Sequence, residues 1–135
     1  MSLTAYIQFG NNDIAKYSRE YMLKDIRCHF KRNHDAVRPT EDAYCESIEI
    51  SVFVPGKDDL MLIEWFANAE MQSGRILVEE SDPLKEEEQK WHQIIFDDAL
   101  CFSLREDFKQ DEKRRVLYLG IMAQSLKADG VSFIR

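Results

Sequence analysis

Between Asp58 and Gly74 lies a strongly apolar helix candidate, flanked on both sides by runs that read as β-strands. This mixture points to a mainly β fold with one α-helix. The segment follows Pro55-Gly56, a turn signal, offers Asp58 or Asp59 as N-cap, and stops at Gly74, a natural residue for a helix C-terminus. Projected at about 100° per residue, Leu60, Ile63, Phe66, Ala67 and Met71 share one flank, and Leu62, Trp65 and Ala69 another. Glu64, Asn68 and Gln72 make the polar stripe. A helix covering one sheet needs one apolar face, so a helix apolar on two sides is expected to touch a second surface, which another copy of the chain could supply.

Strand patterns surround it. Leu3, Ala5, Ile7 and Phe9 alternate with Thr4, Tyr6 and Gln8 before the turn Gly10-Asn11-Asn12; Ile26, Cys28 and Phe30 alternate with charged neighbours over 25–31. Residues 33–44 lose all periodicity around Arg38-Pro39-Thr40 and read as a long loop, a feature that in a compact domain usually has a function. Ile48, Ile50, Val52 and Val54 alternate with the mostly polar Ser47, Glu49, Ser51 and Phe53; 75–79 is a short strand; the acidic run 79–90, broken at Asp82-Pro83, reads as a solvated connection. Residues 91–108 form one long strand or two joined by a bulge near Asp97-Asp98. After a charged turn over 111–115, residues 116–126 are apolar on both faces, and Ala128-Asp129-Gly130 turns into Val131-Ser132-Phe133-Ile134. Seven or eight strands with one helix predict a small β-barrel, or two packed antiparallel sheets, flanked by the helix, in one domain over 1–135.

Charge excludes some partners. With 25 acidic and 18 basic residues, the formal charge is −7, which disfavours broad contact with phosphate backbones, so no nucleic acid partner is expected. No apolar run approaches the ~20 residues of a membrane helix, and residues 1–10 lack a basic start followed by an apolar run; the reading is a cytoplasmic chain with no membrane partner and no signal peptide. Cys28, Cys45 and Cys101 are far apart and odd in number, which suggests neither a disulfide framework nor a zinc site.

Catalytic chemistry is hard to assemble from these residues. His29 lies on the polar face of a strand, His34 in the long loop and His92 before an apolar run, with no metal-ligand spacing among them. Adjacent strand residues point to opposite faces, so Asp97 and Asp98 do not converge. Glycine loops for phosphates and nucleophile elbows are missing. No catalytic, metal or cofactor-binding residue is assigned, and no cofactor is expected. Two rival readings remain: a small ligand-binding β-barrel whose aromatic residues form a pocket, and a small acidic enzyme joining His29 or His92 to a carboxylate.

The order of motifs resembles one family. An opening strand ending in a turn (5–12), a second strand with a long loop carrying Arg38-Pro39, the Ile/Val strand 48–54 and Leu62-Ile63-Glu64-Trp65-Phe66 come first. Ser73-Gly74-Arg75-Ile76, Phe96-Asp97-Asp98-Ala99, Arg105-Glu106-Asp107-Phe108 and a closing strand-turn-strand with Gly130 and Phe133 follow. Together they are similar to the haemolysin-coregulated proteins that form the inner tube of the type VI secretion system, in their Bacteroidetes version. The chain departs from that pattern at Tyr44-Cys45-Glu46, where a glycine pair is common, and at the acidic stretch around Glu86-Glu87-Glu88.

The resemblance implies a β-barrel subunit of a homo-hexameric ring with a wide pore. Its rings stack into a tube that leaves the cell through the type VI apparatus, without a signal peptide, and can carry effectors. Sheath, spike and effector proteins would be the partners, and the subunit would not be an enzyme. Ring stacking is then expected at Asp35, Arg38, Pro39 and Thr40 in the long loop. The ring interface is expected at Leu62, Trp65 and Ala69 on the second helix flank.

Overall fold

The computed structural model describes residues 3–32, 34–35, 38–39, 43–56, 58–80, 90–108, 110 and 113–134. Its elements are β1 (Ala5–Asn11), β2 (Lys16–Lys31), β3 (His34–Asp35), β4 (Arg38–Pro39), β5 (Tyr44–Val54), α1 (Met61–Ala67), β6 (Gln72–Glu80), β7 (Lys90–Glu106), β8 (Arg115–Ala128) and β9 (Val131–Ile134). Strands run β5-β2-β1-β6-β7-β8 around a sheet that returns on itself, because β5 also pairs with β8 from Ile48↔Ile121 to Val54↔Arg115. The result is a closed six-stranded barrel, mainly β with one short helix, and closure removes most of the exposed edges an open sheet would present. β9 continues the sheet outward from the far end of β8.

All these pairings are antiparallel, so the barrel has two distinct ends. The connections β2 to β5 and β6 to β7 emerge at one, the loop end. The β1–β2 turn, α1 and the β7–β8 connection gather at the other, the helix end. Inward residues follow the period of two that alternation dictates: Ile7, Leu23, Ile48, Val52, Ile76, Phe96, Leu117, Ile121 and Leu126 are fully buried.

The helix is shorter than its sequence pattern suggests. Seven residues are helical, with Leu60 and Asn68 at its ends and no side-chain cap bond at Leu60. Asp59 accepts the Met61 N–H at 3.3 Å, but Tyr21 also donates its hydroxyl to that carboxylate at 2.8 and 2.9 Å. Residues 72–74, expected as the last helical turn, belong to β6, which is bonded by β1 on one side and β7 on the other. Pairing on both edges satisfies more backbone groups than a further helical turn would. Gly74 therefore does not end a helix; it lies opposite Phe9, where an added Cβ would fall onto the Gln8 carbonyl.

Other boundaries moved for similar reasons. β2 begins at Lys16, nine residues before the expected start, because Tyr17, Arg19 and Glu20 pair with β1 while showing little apolar alternation. The expected loop over 33–44 contains a two-residue ladder, His34↔Pro39 and Asp35↔Arg38. The bulge near Asp97-Asp98 is present: β7 advances three residues between partners that are two apart on β6, and Asp98 has φ 50°. Residues 81–89, expected as a solvated connection, lie outside those described.

Candidate assembly surfaces

The helix end is organised by aromatic packing. Phe9 from β1 meets Trp65 at 5.3 Å, Phe96 at 6.0 Å and Tyr21 at 6.1 Å, each near edge-to-face, the arrangement that aligns positive ring edges with negative faces. Trp65 is wholly buried and gives its indole N–H to the Ala99 carbonyl at 3.1 Å. These rings occupy the core, where the ligand-pocket reading needed an opening.

Leu62 and Trp65 accordingly face inward, not outward as expected from their flank. The two-sided character of the segment is real, but its sides are exchanged. Leu60, Phe66 and Met71 are 50%, 41% and 53% exposed, and Ala69 is also exposed in a left-handed turn with φ 51°. Trp65 is the largest apolar group on the segment and gains most from burial, which decides the rotation of the helix.

The loop residues are placed unevenly. Asp35, Arg38 and Pro39 lie on the β3–β4 ladder at the loop end, while Thr40 falls outside the described residues. His29 approaches Glu49 at 3.7 Å across an exposed strand face, and His92 on β7 approaches Asp129 of the β8–β9 turn at 2.9 Å, also exposed. Asp129 also accepts the Gln93 N–H, and that bond, followed by His92, holds its carboxyl below the usual range. The pair thus ties the β8–β9 turn to β7. Asp97 accepts an amide N–H of Asn12 and the Asp98 N–H donates to the Ser73 hydroxyl, so the two aspartates serve different elements.

Among the cysteines, Cys101 is buried and Cys28 half-buried; burial pushes each thiol up to about 11, which keeps it protonated and unreactive. No group of three or more His, Cys, Asp or Glu able to hold a metal occurs among the described residues. Among the described residues, no helix is long and apolar enough to cross a membrane.

Two surface depressions stand out. One, between β2, β5, β8 and β7, is lined by Asp25, Arg27, Glu49, Ser103, Arg105 and Tyr118, with the Arg105 guanidinium 4.3 Å over the Tyr118 ring. The other, of about 530 Å³, lies between β2, the end of β5 and the start of β8, and is lined by apolar Met22, Phe53, Val54 and Pro55, by Tyr21 and Glu20, and by Lys113, Arg114 and Arg115. The sequence reading found neither, since each is assembled from strands far apart in the chain.

The family described as hemolysin coregulated protein Hcp (TssD) matches over residues 1–135. The chain belongs to this family. The Hcp assignment places it among the type VI secretion tube proteins, as the motif order implied. Solved Hcp structures share its fold. Hcp1 from Flavobacterium johnsoniae superposes with a TM-score of 0.70 at 18% identity, covering 100% of both chains. Hcp1 from Salmonella typhimurium gives 0.63 at 10% identity, covering 95% of this chain and 86% of that one. Hcp3 from Pseudomonas aeruginosa gives 0.60 at 10% identity, covering 97% and 95%. Comparison with curated proteins by sequence finds no match.

Proposed function

We propose that this Hcp chain works as one structural domain, without catalysing a reaction, and closes with five further copies into a ring around a wide pore. The family match over residues 1–135 carries the reading. A closed ring needs a heterologous contact, one patch docking on a different patch of the next copy. The exposed apolar residues of this segment, Phe66 on α1 with Leu60 before it and Ala69 and Met71 after it, offer such a patch, because apolar side chains standing in water gain from being covered. In this reading the loop carrying Asp35, Arg38, Pro39 and Thr40 reaches a neighbouring ring. Stacked rings form a tube made in the cytoplasm and exported by the type VI apparatus, with sheath, spike and effector proteins as its partners.

Size-exclusion chromatography with light scattering tests it: a mass of six chains, with annular particles by negative-stain microscopy, is the expected result. A strict monomer at high concentration overturns the ring.

A further inference from the structure

We propose that the exposed helix segment of one copy docks on a row of apolar side chains crossing the outer wall of the barrel in the next copy. This rests on the ring reading above and names the second patch that a heterologous contact requires.

Strand residues alternate between the two sides of the sheet, so those between the buried positions form the outer wall. Register sets Met22 on β2, Tyr6 on β1 and Leu77 on β6 side by side there. Phe53 on β5 stands one step beyond the Leu23↔Val52 pair, and it lines the same depression as Met22. Near the other end, the Trp91 ring lies 6.2 Å from that of Tyr6. Every strand from β5 to β6 thus contributes an apolar group at one level. Met22 and Trp91 are 42% and 41% exposed, and Tyr6, Phe53 and Leu77 are half-buried, so the row gains from being covered.

The next row on this wall is polar but already satisfied. The Gln8 amide donates to Glu20 at 2.7 Å and its carbonyl accepts from Arg75 at 2.6 Å, while the Arg75 guanidinium lies 4.3 Å over the Tyr17 ring. Polar groups that keep their hydrogen bonds cost little to cover; groups that must give up water for nothing cost far more.

The helix segment matches the row in length and in charge. At about 1.5 Å per residue α1 is about 10 Å long, and the row crosses four strands spaced about 4.8 Å apart, or about 14 Å. Residues 58–74 carry four carboxylates and no lysine or arginine, with Asp58, Glu64 and Glu70 exposed. At the Phe53 end of the row, the Arg114 guanidinium lies 5.0 Å over the ring and Lys113 stands beside it; Glu20 lines the same depression, but its carboxylate accepts the Gln8 amide. The segment does not cover the row of its own chain, because buried Leu62 and Trp65 pin α1 to the core while Leu60, Phe66, Met71 and Met22 all stay exposed. Another copy has to supply it.

Light scattering and sedimentation velocity on the full chain test the pairing. Met22→Asp, on the exposed wall, is expected to keep its circular dichroism, to weaken each contact by about tenfold or more, and to bring the mass from six chains toward one. Phe66→Asp blocks the other patch. Mixed at high concentration, the two variants have one intact patch each, so a species of two chains, which neither forms alone, is the expected result. A folded Met22→Asp protein that still runs at six chains, or a mixture that stays at one, overturns the pairing with the ring intact. A wild type without the mass of six chains overturns the ring reading first.

Discussion

Trp65 and Ala99 are 34 positions apart in sequence, yet the indole N–H of one meets the carbonyl of the other at 3.1 Å in a fully buried site. This bond fixes α1 against β7 next to the Asp98 bulge and sets which helix flank turns inward. Burying an indole is favourable only if its N–H finds an acceptor, and the bulged strand presents one.

Replacing Trp65 separates the two contributions. Trp65→Ala removes the ring that packs on Phe9 and should cost about 3–5 kcal/mol of stability. Trp65→Phe keeps much of the volume but leaves the Ala99 carbonyl without its donor, at about 1–3 kcal/mol. Urea denaturation measures both. Equal losses for the two variants would mean that packing of the ring contributes nothing beyond the hydrogen bond.

Tyr21 makes stability depend on alkaline pH. Burial, followed by its hydrogen bond to Asp59, pushes its hydroxyl from 10.0 up to about 12. The folded state therefore holds this proton more tightly than the unfolded chain. The stabilisation is complete below about pH 10, where both states are protonated, and is lost as pH rises through about 12. Melting temperature should fall over this window more steeply in the wild type than in Tyr21→Phe. Parallel pH profiles for the two proteins would show that the hydroxyl is not the group responsible.

Two glycines inside strands should respond very differently to alanine. At Gly74 an added Cβ falls onto the Gln8 carbonyl, which is backbone of the paired strand and cannot move without parting β1 from β6. At Gly120 it meets the Phe102 ring and the Ser103 hydroxyl at 2.7 Å, both side chains on the exposed face. Gly120→Ala should cost about 1 kcal/mol and Gly74→Ala at least about 3 kcal/mol. Thermal unfolding ranks them, and a reversed order would refute the close-approach reading of Gly74.

The same glycine marks where sequence reasoning stops. Alternation at 48–54 and 116–126 shows through because both strands are buried along one or both faces, and the Asp97-Asp98 bulge shows as a break in that alternation. Gly74 after an apolar run reads as a helix end unless one knows that β1 lies across from it. β2 escaped over 16–24 because only Tyr21 and Leu23 point inward there, among charged residues that carry no period. The two flanks of α1 were visible, but choosing the inner one needs Phe9, Phe96 and Ala99, which come from distant strands. The depression beside Met22 and Phe53 needs β2, β5 and β8 together, and no window along the chain contains all three.

An acidic side chain on each flank of α1 tests whether the outward one is covered by another copy. Leu62 is 1% exposed, so Leu62→Asp buries a charge with no partner and should abolish folding, seen as lost circular dichroism and proteolysis by trypsin. Phe66 and Leu60 stand in solvent in the isolated chain, so Phe66→Asp and Leu60→Asp should change its stability by only about 0.5 kcal/mol. In an assembled ring, the same substitutions place a carboxylate in an apolar contact, and the mass by light scattering should drop from six chains toward one. A Phe66→Asp protein that folds and still runs at six chains would exclude this flank from the ring contact, and the contact would then have to be sought among other exposed apolar residues such as Val131 and Ile134 on β9.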